Sequence, residues 1–166
     1  GPLGSDRGIG PGTLLVASSP GTVWPETVLV HLSKWTRNER GALTGLKTTS
    51  YAENVRALEA AHQRGASEAL LANTQGRLCE GTGTNVFLVV DGVLVTPPLA
   101  SGCLAGITRE LVLELTEVVE REIELDEFAA ASEAFLTSST REVAAISAID
   151  DTVLPEAPGP VTTETA

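Results

Sequence analysis

Aromatic, sulfur and basic residues are all scarce in this chain. Of its 166 residues, 11 are Lys or Arg against 22 Asp or Glu, a net charge of −11. No basic stripe can neutralise a polyphosphate backbone, so DNA and RNA are not expected partners. There is no Met, and Phe, Tyr and Trp together make up 4%. A core must therefore be assembled from Leu, Val, Ala and Ile. Two cysteines, Cys79 and Cys103, are too few for a disulfide framework. They read as free thiols in a reducing compartment. No run approaches the ~20 apolar residues of a membrane span. No secretory signal is visible, so a cytoplasmic location and no membrane partner are expected. No metal site is expected.

What is present suffices for one domain. Apolar residues make up 42% of the chain, and a length of this order buries a real core. Gly1 to Ser5 carries no initiator Met and reads either as the remnant of a removed tag or as native sequence. With the Gly/Pro-rich residues that follow, 1–12 reads as a flexible segment, 13–150 as the domain and 151–166 as a tail. Strands are expected at Thr13–Ser18 and at the β-branched run Thr27–Leu32. His31 reads there as a half-buried strand residue. Arg37–Gly41 reads as a loop whose Arg37 or Arg40 could face an anionic ligand, solvated charge being the preferred reading. Val55, Leu58 and Ala61 recur at helical spacing within Tyr51–Arg64. Glu68–Asn73, Arg77–Glu80, Asn85–Val90 and Val93–Thr96 read as strands, with Asp91-Gly92 a two-residue hairpin turn. Apolar positions from Ile107 to Val119 predict an amphipathic helix. A short strand at Ile123–Leu125, a short helix at Glu127–Ala131 and strands at Ala134–Ser139 and Val143–Ile146 complete the pattern. About eight strands joined mostly by hairpins predict an α+β domain around a mostly antiparallel, barrel-like sheet with flanking helices.

Four stretches carry chemistry. Lys47, one of two lysines with Lys34, stands just before the first helix; a surface charge at a helix start is the plain alternative. Glu80 falls between an apolar strand and the Gly/Thr-rich loop Gly81–Thr84; an exposed loop glutamate is the alternative there. Gly106, Ile107 and Thr108 open a helix, whose free N–H groups and positive dipole end suit a phosphate. Ser138, Ser139 and Thr140 end a strand with three hydroxyls, a second phosphate contact or a polar turn. An amine, a carboxylate and a phosphate cradle together match the needs of pyridoxal phosphate. The carboxylate keeps the pyridine nitrogen protonated, and the amine carries a proton.

Lys47-Thr48-Thr49-Ser50-Tyr51, Glu80-Gly81-Thr82-Gly83-Thr84-Asn85-Val86-Phe87, Thr96-Pro97-Pro98 and Leu104-Ala105-Gly106-Ile107-Thr108-Arg109 resemble the motifs of class IV aminotransferases. That is the fold type IV group of branched-chain aminotransferases, D-amino acid aminotransferases and aminodeoxychorismate lyases. The resemblance covers Ala42 to Ala148. It implies the large domain of that fold, Lys47 as the Schiff-base lysine and Glu80 as the partner of the pyridine nitrogen. It places Tyr51 near the ring hydroxyl and Leu104 on the ring face. Gly106, Ile107, Thr108, Ser139 and Thr140 would hold the phosphate. Asn85 would fix a loop. The family's smaller N-terminal domain, with an arginine for the phosphate and much of the substrate pocket, has no counterpart here. A homodimer is implied for the full-length protein. The implied activity is transamination between an amino acid and a 2-oxo acid. The alternatives are aminodeoxychorismate lyase activity and a non-catalytic interaction domain, the latter opposed by the retention of Lys47 and Glu80.

Overall fold

The computed structural model describes Leu14, residues 16–21 and residues 24–166. The expected flexible segment 1–12 and part of the expected first strand lie outside the described residues. Leu14 and 16–18 carry no regular structure and are exposed, so no strand forms there. The elements are β1 (Thr27–Arg37), α1 (Ala52–His62), β2 (Glu68–Asn73), β3 (Leu78–Gly81), β4 (Asn85–Val90), β5 (Val93–Thr96), α2 (Ile107–Leu115), β6 (Val119–Glu120), β7 (Ala131–Ser138), β8 (Glu142–Ile149), β9 (Thr152–Val153) and α3 (Pro160–Thr165).

One nine-stranded sheet runs β3-β2-β1-β8-β7-β4-β5-β6, with β9 on β8. It is mixed. β1 is parallel to both β2 and β8, and β5 is parallel to β6. The remaining pairs are antiparallel. A parallel neighbour requires a crossover, and α1 supplies it between β1 and β2. Ala57 and Ala61 of α1 pack on Ala69 and Leu71. The sheet curls until its ends meet: the Leu78 N–H donates to the Ile123 carbonyl at 2.9 Å, and Arg77 bridges to Glu124.

Inside the curl, Val28, Leu70, Leu78, Val86, Leu88, Leu136 and Ile146 form the main core. The outer face of β4 and β7 holds a second core, where Phe87 and Phe135 stack at 4.9 Å beneath Val112 of α2. Strand β4 is thus buried on both faces, which is why it is apolar without a break from Val86 to Val90 instead of alternating. At the β4–β5 hairpin Asp91 and Gly92 both take positive φ, 52° and 76°, the type I′ geometry this dipeptide favours.

Several expectations are corrected. β1 runs on to Arg37, so the loop begins later. Val55 on α1 is exposed, and Asn54, Ala57 and Ala61 form its buried face. Helix α2 stops at Leu115. Val119 and Glu120 instead add a strand beside β5, although the apolar spacing continues past the helix end. Ile123 is buried without forming a strand, and Leu125–Ala129 is a 3-10 turn closed by a Glu124–Glu127 capping box. The expected tail is ordered: Thr152–Val153 pairs with β8, Leu154 is buried and α3 packs under β7. Among the described residues no helix is long and apolar enough to cross a membrane.

Candidate active site

A cleft of about 870 Å³ opens where four connections converge: β1–α1, β3–β4, the loop leading into α2, and β7–β8. Lys47, Tyr51, Glu80, Leu104, Gly106, Ile107, Thr108, Ser139 and Thr140 all line it. Residues read separately along the sequence therefore share one cavity.

Lys47 sits on the β1–α1 connection. Its side chain is exposed and has no hydrogen-bond or ion-pair partner among the described residues. Tyr51 stands at the N-cap of α1 and is half in solvent. Across the cleft, Glu80 lies on β3 with its carboxylate largely withdrawn from water. The Arg37 guanidinium reaches Oε1 at 3.1 Å, and the Leu104 N–H donates to Oε2 at 2.9 Å. Burial pushes the Glu80 carboxyl above its ordinary range, against the pull of the Leu104 N–H and the Arg37 charge. Both of its oxygens are fixed by donors, and a carboxylate so held can pair with a protonated ring nitrogen.

The loop before α2 is pinned from below. The Asn85 side-chain amide donates to the Leu104 carbonyl at 2.8 Å. A Cβ on Gly106 would stand 2.2 Å from Asn85 Oδ1, so only glycine allows this approach. Asn85 is thus a loop-fixing residue, as read from the sequence. Helix α2 then begins with no side-chain cap at Gly106. The N–H groups of its first turn are left for a ligand or water. Opposite, the Ser138 and Thr140 hydroxyls lie 3.4 Å apart, and the Arg141 N–H donates to Ser138 Oγ at 3.2 Å. The Thr137 hydroxyl on the same wall is buried without a hydrogen-bond partner among the described residues.

Sequence reasoning missed the second layer of this cleft. Arg37, read as solvated charge, is the partner of Glu80; its Nη1 also donates to Asn54 Oδ1 at 3.1 Å. Asn54 in turn donates to the Thr82 carbonyl at 2.6 Å. No local pattern marks Arg37 or Asn54, because their partners lie on other strands. His31 is a strand residue, as expected, paired with Asp150. Cys79 and Cys103 lie buried behind Glu80 and Leu104. Burial, reinforced by the Glu80 charge, pushes the Cys79 thiol up to about 12, which rules it out as a nucleophile at neutral pH.

The family model for amino-transferase class IV matches residues 13–149. A branched-chain-amino-acid aminotransferase of Pseudomonas aeruginosa is 36% identical over 130 residues, which is 74% of this chain and 42% of that protein. Among solved structures, the branched-chain amino acid aminotransferase of Thermobaculum terrenum in its PLP form superposes with a TM-score of 0.80 at 36% identity. The match covers 84% of this chain and 48% of that one. A Legionella pneumophila protein assigned as a 4-amino-4-deoxychorismate lyase gives 0.82 at 27% identity, covering 87% and 55%. The chain spans about four-tenths of the length of the curated relatives it matches. With its ordered motifs gathered on one cleft, this chain belongs to the class IV aminotransferase family.

Proposed function

We propose that this chain supplies the cofactor-binding part of a pyridoxal phosphate-dependent aminotransferase that moves an amino group between an amino acid and a 2-oxo acid. The observation that carries the reading is the convergence of Lys47, Glu80 and the uncapped start of α2 on one cleft. The donor set fits the cofactor: a free amine, a buried carboxylate and orphaned N–H groups beside hydroxyls. When bound, the cofactor supplies an electron sink for the carbanion formed at the substrate's α-carbon.

The chain's own residues do the rest. Glu80, fixed by Arg37 and the Leu104 N–H, holds a proton at the ring nitrogen. Lys47 Nζ accepts and returns the proton at the substrate carbon. The N–H groups of Ile107 and Thr108, with the hydroxyls of Ser139 and Thr140, bind the phosphate. The Gly106 turn brings that backbone close. Leu104 would pack on the ring, and the Tyr51 hydroxyl would serve the ring hydroxyl. In the full-length protein we expect a homodimer in the cytoplasm, in keeping with the two free thiols.

The Legionella neighbour favours a second reading, release of pyruvate from aminodeoxychorismate, with the same Lys47 and Glu80. The test adds pyridoxal phosphate and follows the visible absorbance of wild type and Lys47→Ala. Each substrate class is then supplied, and pyruvate is assayed against 2-oxo acid. A band that persists unchanged in Lys47→Ala would overturn the reading.

A further inference from the structure

Glu68, the first residue of β2, is 1% exposed. A carboxylate so far from water is tolerated only among strong donors. Five are present. The Ala69 and Thr82 N–H groups donate to Oε1 at 3.0 and 3.1 Å, the Thr82 N–H being shared with the Ala69 carbonyl at 3.0 Å, and the Thr82 hydroxyl joins them. The Thr84 hydroxyl reaches Oε2 at 3.4 Å, and Arg141 Nη2 lies 3.5 Å from the same oxygen. Three of these donors belong to the β3–β4 turn, and Arg141 belongs to the β7–β8 turn.

Packing says the same. A Cβ on Gly81 would sit 3.3 Å from Glu68 Cγ and Cδ and 2.1 Å from Thr84 Oγ1, so the β3–β4 turn rests on the Glu68 side chain. On the other side, the Arg141 guanidinium lies 4.0 Å from the centre of the Trp24 ring and donates to the Ser67 carbonyl at 3.4 Å. Both turns are walls of the cleft. One begins beside Glu80; the other carries Ser139 and Thr140. Strand β2 has separate support, paired with β1 and β3 and buried along its length. Glu68 is therefore surplus to what the sheet needs.

We propose that Glu68 is a positioning residue: a single buried carboxylate behind the cleft that ties the Thr82–Thr84 turn to Arg141 and so sets the spacing between Glu80 and the Thr140 hydroxyl. Its role toward pyridoxal phosphate rests on the functional reading above; its role in holding the two turns does not.

The test uses the 166-residue chain as wild type, Glu68→Gln and Arg141→Met. Gln keeps the shape but puts an amide donor among donors. Backbone hydrogen exchange without cofactor should quicken by up to about tenfold at Thr82 and Arg141 in Glu68→Gln, because both turns lose the charged group that anchors them, although the Thr82 N–H keeps the Ala69 carbonyl and the Arg141 N–H keeps Ser138 Oγ. Leu70 on β2 and Leu136 on β7 should keep their wild-type exchange. The Kd for pyridoxal phosphate should rise by about the same tenfold. If Glu68→Gln does not fold, Arg141→Met cuts the same tie from its outer end, and the Thr82 amide reads the result. Unchanged exchange at Thr82 and Arg141, or equal loss at Leu70 and Leu136, makes Glu68 an ordinary core charge and overturns the inference. A wild-type chain that takes up no pyridoxal phosphate sinks the functional reading instead, and the exchange data still decide on Glu68.

Discussion

At Glu80, burial and two donors pull in opposite directions, and burial prevails. Its carboxyl binds a proton more tightly in the native chain than in the unfolded one. From the ordinary 4.5 up to its raised value, the native state thus holds more protons, and stability falls as pH rises. Glu80→Gln cannot titrate. The melting temperature of wild type relative to Glu80→Gln should decline as pH is raised from 4.5 toward neutrality; a constant difference refutes the shift. The same variant should lower single-turnover consumption of an amino donor by at least about a hundredfold, the scale of a lost proton-transfer group. Cofactor affinity should change far less, since the phosphate cradle is untouched. At Lys47, borohydride reduction with pyridoxal phosphate followed by peptide mapping should label Lys47 and leave Lys34 clean. A label on Lys34 sinks the assignment. Cys79 and Cys103 should resist thiol reagents at pH 8 until the chain is unfolded, because both thiols are buried and held protonated.

The connecting elements carry the site more than the strands do. Gly106 has an ordinary φ of −74°, so Gly106→Ala strains no backbone. Its methyl instead collides with Asn85 Oδ1 and pushes the start of α2 off the Asn85 peg. The expected loss is about 1–3 kcal/mol of stability, as for other overpacked sites, together with weaker phosphate binding. Urea unfolding and a phosphate titration measure both. An Ala variant that binds phosphate like wild type would separate the α2 N-terminus from the cradle. Helix α3 is held the same way. The Thr162 hydroxyl and N–H both meet the buried Glu133 carboxylate at 2.8 Å. Thr162→Val should cost about 1.5–3 kcal/mol, as for a lost hydrogen bond to a charged group. A change under a few tenths would mean that α3 is only loosely seated.

Across the whole molecule, the curl of the sheet sets the cleft but leaves its mouth open: Ile107 is 71% exposed and Tyr51 40%. Among its lining residues the cations are Arg37 and Lys47, and Arg37 is engaged by Glu80. On the proposed reading, the phosphate falls to backbone N–H groups and hydroxyls. Inorganic phosphate should therefore compete with pyridoxal phosphate. Titrating pyridoxal phosphate against rising inorganic phosphate checks this; an affinity that phosphate leaves unchanged would place the phosphate elsewhere.

Local chemistry made much of this legible in advance. The apolar run of β4, the Asp91-Gly92 hairpin and the helix start at Ile107 depend on a few neighbouring residues, and those neighbours are adjacent in the chain. The ends of elements were less legible. Val119 continues the apolar spacing of α2, yet it lies on β6, because pairing with Val95 outweighs a weak helical preference. Thr162 reads as part of a polar tail until Glu133 is placed above it. Least legible were Arg37, Asn54, Glu68 and Arg141. Each is an ordinary polar residue in sequence, and each acquires its role from a partner on another strand or turn. Only the order of strands, with β1 between β2 and β8 and the sheet closed on itself, brings those partners within reach.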